Sequence, residues 1–158
     1  MVFVRSARPK AFEYPGPWED LRRTYVAVRA DCARIVAPYG LLYTEYRVLT
    51  MCRTGEVTPG SIARDLGVTP AAATGIVARL KRRGWVRKRP HPQDHRATLV
   101  GLTRSGRRLE AETRRIWVRR MREFGSDLSP HEYDMLGKGL AALAIALVDG
   151  APRKRPRA

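Results

Sequence analysis

The sequence predicts a mainly α fold with one small β hairpin, and three observations carry that expectation. Two Thr-Pro pairs, Thr58-Pro59 and Thr69-Pro70, open two short helices eleven residues apart. In each, the hydroxyl can accept from an otherwise unbonded helical amide, and proline suits the first helical position. After Gly84 the period changes from helical to alternating: Trp85-Val86-Arg87-Lys88-Arg89 and Thr98-Leu99-Val100-Gly101-Leu102 read as strands joined by residues 90–96. Apolar seams spaced by three and four residues flank this unit on both sides.

Residues 1–16 mix basic side chains with Pro9, Pro15 and Gly16 and read as an extended arm. Over 17–40 a helix is expected, because Trp18, Leu21, Tyr25, Val28, Cys32 and Ile35 advance by three and four. Glu19 and Asp20 complement the positive end of its dipole, and Pro38 and Gly40 end it. Thr44 is expected to cap a second helix running to about Arg53, with Tyr46, Val48, Leu49 and Cys52 available for packing and Gly55 closing it.

The next two helices form a helix-turn-helix, with Gly67 and Gly84 placed as left-handed C-caps. On the second, Pro70 to Arg83, a rotation of about 100° per residue collects Ala73, Ile76, Val77 and Leu80 on one face. Ala71, Gly75, Ala78, Arg79 and Arg82 fall on the other, with Thr74 at its flank. Small residues let a backbone approach the floor of a DNA major groove, where alanine methyls touch thymine methyls and arginine pairs with guanine. Packing alone would not require the cations.

Thr103 is placed to cap a long helix whose Leu109, Thr113, Ile116, Trp117, Met121 and Phe124 make one stripe amid arginines. Ser129-Pro130-His131-Glu132 has capping-box spacing and opens a last helix. There Tyr133, Leu136, Leu140, Leu143 and Leu147 are accompanied by Gly137, Gly139, Ala141, Ala142, Ala144 and Ala146. A helix that is apolar or small on nearly every side needs cover on every side. Residues 17–40 and 104–149 are therefore expected to form a dimerisation domain around a DNA-binding unit at 41–103, with 150–158 as a disordered basic tail.

Charge points the same way. Thirty-one Lys and Arg against 15 Asp and Glu leave a formal charge of +16, a field suited to a polyanion. No acidic residue occurs between Asp65 and Asp94, whereas Arg79, Lys81, Arg82, Arg83, Arg87, Lys88 and Arg89 crowd that interval. A membrane is the competing polyanion, but the sequence offers no lipidation signal or basic amphipathic helix, and its longest apolar run, Leu140 to Val148, is too short to span a bilayer. With only Met1-Val2-Phe3-Val4 as an apolar start, a cytoplasmic, nucleoid-associated location is expected.

Cys32 and Cys52 fit neither a disulfide framework nor a metal-ligand spacing and read as reduced thiols. Cys32 falls on a core face, and Cys52, beside Arg53, is the better placed for reactivity. His91 and His95 are separated by Pro92, which spoils a helical metal pair, so they read as wing residues near phosphate. No metal or cofactor is expected. An enzyme is the weakest alternative, because no phosphate-cradling glycine loop and no nucleophile with its base is evident.

Leu42-Tyr43-Thr44 with Val48-Leu49, Ile62-Ala63 with Leu66, Leu80 with Gly84-Trp85-Val86, Asp94-His95-Arg96, and Leu102-Thr103 with Gly106 occur in an order specific as a set. In these residues, over about the middle half of its length, the chain resembles the MarR family of winged helix-turn-helix transcriptional regulators. The resemblance implies that Pro70 to Arg83 enters the major groove and that Arg96, held by Asp94, reaches a minor groove from the wing, where a narrow groove concentrates negative potential. It also implies a pocket for a small effector, often aromatic, between the dimerising helices and the winged unit. Tyr25, Tyr39, Tyr43, Tyr46 and Trp117 are candidate linings whose spacing fits core packing equally well. Two residues depart from the family pattern: Arg47 stands where a helix-starting Gln is frequent, and Gly75 replaces a larger side chain on the reading face.

The expected function is a homodimeric, sequence-specific transcriptional repressor of pseudo-palindromic duplex DNA, relieved by a small aromatic ligand. Thr74, Arg79 and Arg82 are expected at base edges, with Ala71, Gly75 and Ala78 allowing close approach. Thr58, Ser61, Thr69, Arg87, Lys88 and His95 are expected to position the phosphate backbone, with Asp94 and Arg96 at the wing tip. The alternative is an architectural or weakly specific DNA-coating protein, favoured by the sparse reading face and the excess of positive charge.

Overall fold

The computed structural model describes residues 16–94 and 97–148; residues 1–15 of the expected arm over 1–16, the wing residues His95 and Arg96, and residues 149–158, with the expected tail over 150–158, lie outside the described residues. The element order is α1 (Gly16–Val36), a 3-10 turn (Ala37–Tyr39), α2 (Tyr43–Met51), α3 (Pro59–Leu66), α4 (Pro70–Arg82), β1 (Val86–Pro90), β2 (Thr98–Leu102), α5 (Arg104–Ser126) and α6 (Pro130–Val148). The mainly α fold with a small β wing is present. The described residues fall into two compact units that divide within α5, one up to Arg115 and the other from Ile116.

In the first unit, α2, α3, α4 and the hairpin close around Val48, Leu49, Ile62, Val77, Leu80 and Val100, all fully buried. The local signals for α3 act as expected. Ser61 N–H donates to Thr58 Oγ1 at 3.1 Å, and Thr58 N–H donates back to Ser61 Oγ at 3.2 Å. Ala72 N–H donates to Thr69 Oγ1 at 3.2 Å to start α4. Gly67 ends α3 at φ +62°, a left-handed conformation that costs a side-chain-bearing residue about 1–2 kcal/mol.

The wing is an antiparallel pair in which Val86 faces Leu102, Arg87 faces Gly101, and Lys88 faces Val100. Val57 adds a third, one-residue contact with no counterpart in the sequence reading: its N–H donates to Val100 O at 2.9 Å and its carbonyl accepts from Val100 N–H at 2.8 Å. Thr103 joins the wing to α5. Its Oγ1 accepts from Gly106 N–H at 3.0 Å and lies 2.6 Å from Gly84 O, to which it can donate. Any Cβ on Gly106 would overlap the Trp85 carbonyl.

Several boundaries differ from expectation, among them the end of α1 at Val36, where a 3-10 turn takes up 37–39 of the expected 17–40. Helix α2 begins at Tyr43 and leaves Thr44 inside its first turn; Leu42 is the N-cap, and the Glu45 carboxylate accepts its N–H at 3.0 Å. A carboxylate at the third helical position thus replaces the expected hydroxyl cap. The same helix stops at Met51, with Cys52 as its C-cap rather than continuing to Arg53. Gly16 belongs to α1 instead of the arm. The apolar seam of α1 is covered only near its C-terminal end, where Cys32 and Val36 are buried, while Trp18 and Tyr25 are exposed.

The second unit contains the remainder of α5, and α6. Ser129 and Glu132 form the expected capping box, Ser129 N–H donating to Glu132 Oε2 at 2.9 Å and Glu132 N–H to Ser129 Oγ at 3.3 Å. Among the described side chains of α6 only Leu143 is even half-buried. Tyr133, Leu136, Leu140 and Leu147 face solvent, Leu147 at 62% exposure.

Candidate nucleic-acid interface

Helix α4 divides its surface as its sequence dictates. Ala73, Ile76, Val77 and Leu80 are buried, which fixes the rotation of the helix. Ala71, Thr74, Ala78 and Arg82 are left exposed, with Gly75 and Arg79 half-buried between them. The expected reading residues therefore share one outward surface. Its cations are not equivalent. Arg79 donates through Nε to Glu45 Oε1 at 2.9 Å, whereas Arg82 has no partner among the described residues. Arg79 is therefore also a structural tie between α4 and α2, a role its place on the helical face did not disclose.

Other expected contacts are partly committed to holding the fold. Thr58, Ser61 and Thr69 spend their hydroxyls on helix caps. Arg47 reaches Asp65 at 2.9 Å and joins α2 to α3, so this departure from the family pattern has a local carboxylate to match it. Arg83 donates to Gly40 O at 2.6 Å and Tyr39 O at 2.9 Å while its guanidinium stacks 3.8 Å from the centre of the Trp85 ring.

The charge of the wing needs correction. The sequence interval from Asp65 to Asp94 has no acid, yet Glu56 stands between two wing arginines in space. Its Oε1 lies 3.5 Å from Arg87 Nη2, and its Oε2 accepts from Arg89 Nε at 2.7 Å. The hydrogen bond from Arg89 is the largest cause holding the Glu56 carboxyl below the usual glutamate range. Arg87 is thus partly neutralised, and Lys88, on the other face of β1, is the wing cation without a partner among the described residues. Arg89 is visible in the sequence as one cation of the basic interval, but Glu56 beside it is not, because the two stand 33 positions apart.

The base of the wing loop is closed by His91 N–H donating to Ala97 O at 3.0 Å and Ala97 N–H donating to Asp94 O at 2.9 Å. His91 Nδ1 accepts from Gln93 N–H at 3.2 Å. Asp94 is exposed; His95 and Arg96, expected beside it, lie outside the described residues. Cys52, the better placed of the two thiols for reactivity by its neighbour Arg53, is buried: its Sγ lies 3.5 Å from Val100 O, and burial pushes its pKa up to about 12. Burial likewise pushes Cys32 up to about 11. Among the described residues no group of three His, Cys, Asp or Glu is arranged to hold a metal. No described helix is long and apolar enough to cross a membrane.

A helix-turn-helix whose second helix presents small residues and cations beside a basic two-stranded hairpin defines a winged-helix protein. The sequence pattern of the MarR family matches residues 39–97. An uncharacterized HTH-type transcriptional regulator of Mycobacterium bovis is 36% identical over 103 residues, 65% of this chain and 71% of the relative. The crystal structure of wild-type MarR from E. coli, without ligand, superposes with a TM-score of 0.72 at 22% identity, covering 84% of this chain and 98% of that one. A structure of S. aureus MepR in complex with DNA gives a TM-score of 0.72 at 19% identity, covering 85% and 98%. The chain belongs to the MarR family and is a transcriptional regulator.

Proposed function

We propose that the protein binds duplex DNA as a homodimer at a pseudo-palindromic site and represses transcription, each α4 entering a major groove about one helical turn from the other. The observation that carries this reading is the outward face of α4, where Ala71, Thr74, Gly75 and Ala78 allow close approach and Arg82 stands beside them without a partner among the described residues. In MepR the same fold is seen bound to DNA. The exposed apolar side chains of α6 support a second copy as their cover. Arg96, beside Asp94 in the sequence, is assigned to a minor groove. Selection of bound fragments from random DNA at physiological salt tests the reading: a recurrent inverted repeat supports it, and Arg96→Ala is expected to weaken binding to that repeat without unfolding the protein.

A small aromatic ligand that relieves repression completes the proposal. Among the aromatic candidates, Tyr46 is buried in the core, while Tyr39 donates its hydroxyl to Glu112 Oε1 at 2.8 Å. Trp117 lines a largely apolar cleft of about 400 Å³ with Val118, Met121 and Tyr133, a volume that suits a small ligand. Weakly specific DNA coating is the second reading. The tie of Arg79 to Glu45 favours it by reducing the base-reading cations free in the unbound protein; a flat sequence distribution in the same selection would establish it.

A further inference from the structure

A second basic feature lies on the face of the wing that carries Arg87 and Arg89, opposite Val86 and Val100. Here a cleft of about 370 Å³ is lined by four arginines, Arg53, Arg87, Arg89 and Arg107, with Glu56 as the single carboxylate among its lining residues. The arginines come from three places: the turn after α2, strand β1 and the first turns of α5. Their convergence is therefore a product of the fold rather than of a basic run.

The backbone makes room for it. Gly101 lies under Glu56, and a Cβ there would come within 2.8 Å of Glu56 Cγ. Among the described residues Glu56 engages Arg87 and Arg89. Arg107 is steadied by donating Nη1 to Leu102 O at 3.0 Å, a bond that leaves its charge uncompensated. Among the described residues Arg53 pairs at long range with one carboxylate, its Nε lying 3.8 Å from the buried Glu110 Oε1. Four guanidinium groups thus border a cleft of ligand size with one carboxylate lining it. Guanidinium matches the paired oxygens of a phosphate geometrically, and a multivalent oxyanion would relieve the mutual repulsion of the four.

We propose that this cleft is a binding site for a multivalent oxyanion of the phosphate class, held by Arg53, Arg87, Arg89 and Arg107 in competition with Glu56. The oxyanion can be a small phosphorylated molecule or a phosphate of the DNA backbone, and both share the chemistry described.

Calorimetric titration of the full-length protein with sodium pyrophosphate at constant ionic strength, without DNA, tests it. Saturable binding of about one pyrophosphate per chain is expected. Arg53→Gln and Arg107→Gln should each weaken it at least about tenfold, the scale of one charged hydrogen bond. Glu56→Gln should tighten it by removing the competing carboxylate, and Arg119→Gln, outside the cleft, should leave it unchanged. Circular dichroism checks that each variant is folded, since Arg53 also pairs with the buried Glu110 and Arg107 also holds Leu102 O. No saturable binding, or equal loss in Arg119→Gln and Arg53→Gln, would overturn the site. A duplex-binding arm then separates the sources: parallel loss of DNA and pyrophosphate affinity in Arg53→Gln identifies a backbone phosphate, and loss of pyrophosphate alone identifies a free oxyanion. Because the primary titration contains no DNA, its result stands apart from the DNA-reading proposal.

Discussion

Arg79 on the reading helix donates to the buried carboxylate of Glu45 at 2.9 Å, and the other oxygen of that carboxylate caps α2 through the Leu42 amide. One glutamate therefore starts a supporting helix and orients a cation expected at the DNA. Arg79→Ala would leave a buried acceptor without its donor, a cost of about 1–3 kcal/mol. Arg82→Ala, at an exposed position, should stay within about 0.5 kcal/mol of the parent. Urea denaturation is expected to separate the two variants, while both lose affinity for duplex DNA.

Gly106 and Gly67 are both required, for different reasons. A methyl group on Gly106 would enter the Trp85 carbonyl, so Gly106→Ala should cost about 3 kcal/mol, the upper end of the usual overpacking range, as the wing and α5 move apart. Space is open around Gly67, but its φ of +62° makes Gly67→Ala a backbone penalty of about 1–2 kcal/mol. Thermal melting of the two variants should order them accordingly.

Leu136 and Leu140 are about half exposed on α6. If a second copy covers them, Leu140→Glu places an unpaired charge in that interface and should give a slower-associating or monomeric protein in sedimentation. Helical content should be retained, because the side chain is about half exposed within its own chain. DNA affinity should fall with the loss of the dimer.

Glu56 gives a pH signature. Its folded pKa is depressed by Arg89 and Arg87, so its contribution to stability is present above the ordinary glutamate pKa and is lost as pH falls through the depressed folded value. Glu56→Gln should therefore lower the melting temperature at neutral pH, and the difference from the parent should shrink on acidification through that window. A difference that does not change with pH would remove the ionised pair as its cause.

The sequence by itself determined the helix starts at Thr58, Thr69, Thr103 and Ser129, the stops at Gly67 and Gly84, the wing strands, and the division of α4 into buried and outward faces. Each is encoded within a few residues, by a hydroxyl that bonds an amide three positions on, by a glycine that tolerates positive φ, or by a periodicity that matches a helix or a strand. Only the tertiary structure decided which arginines are committed. Arg79 meets Glu45 across 34 residues and Arg89 meets Glu56 across 33, and a charge pattern along the chain carries no record of such pairings. It also placed Cys52 in the core, where the neighbouring Arg53 does not activate it. The reason is one of range: caps and turns are settled by neighbours in sequence, while the electrostatics of a surface depend on which carboxylate the fold brings within about 3 Å of each cation.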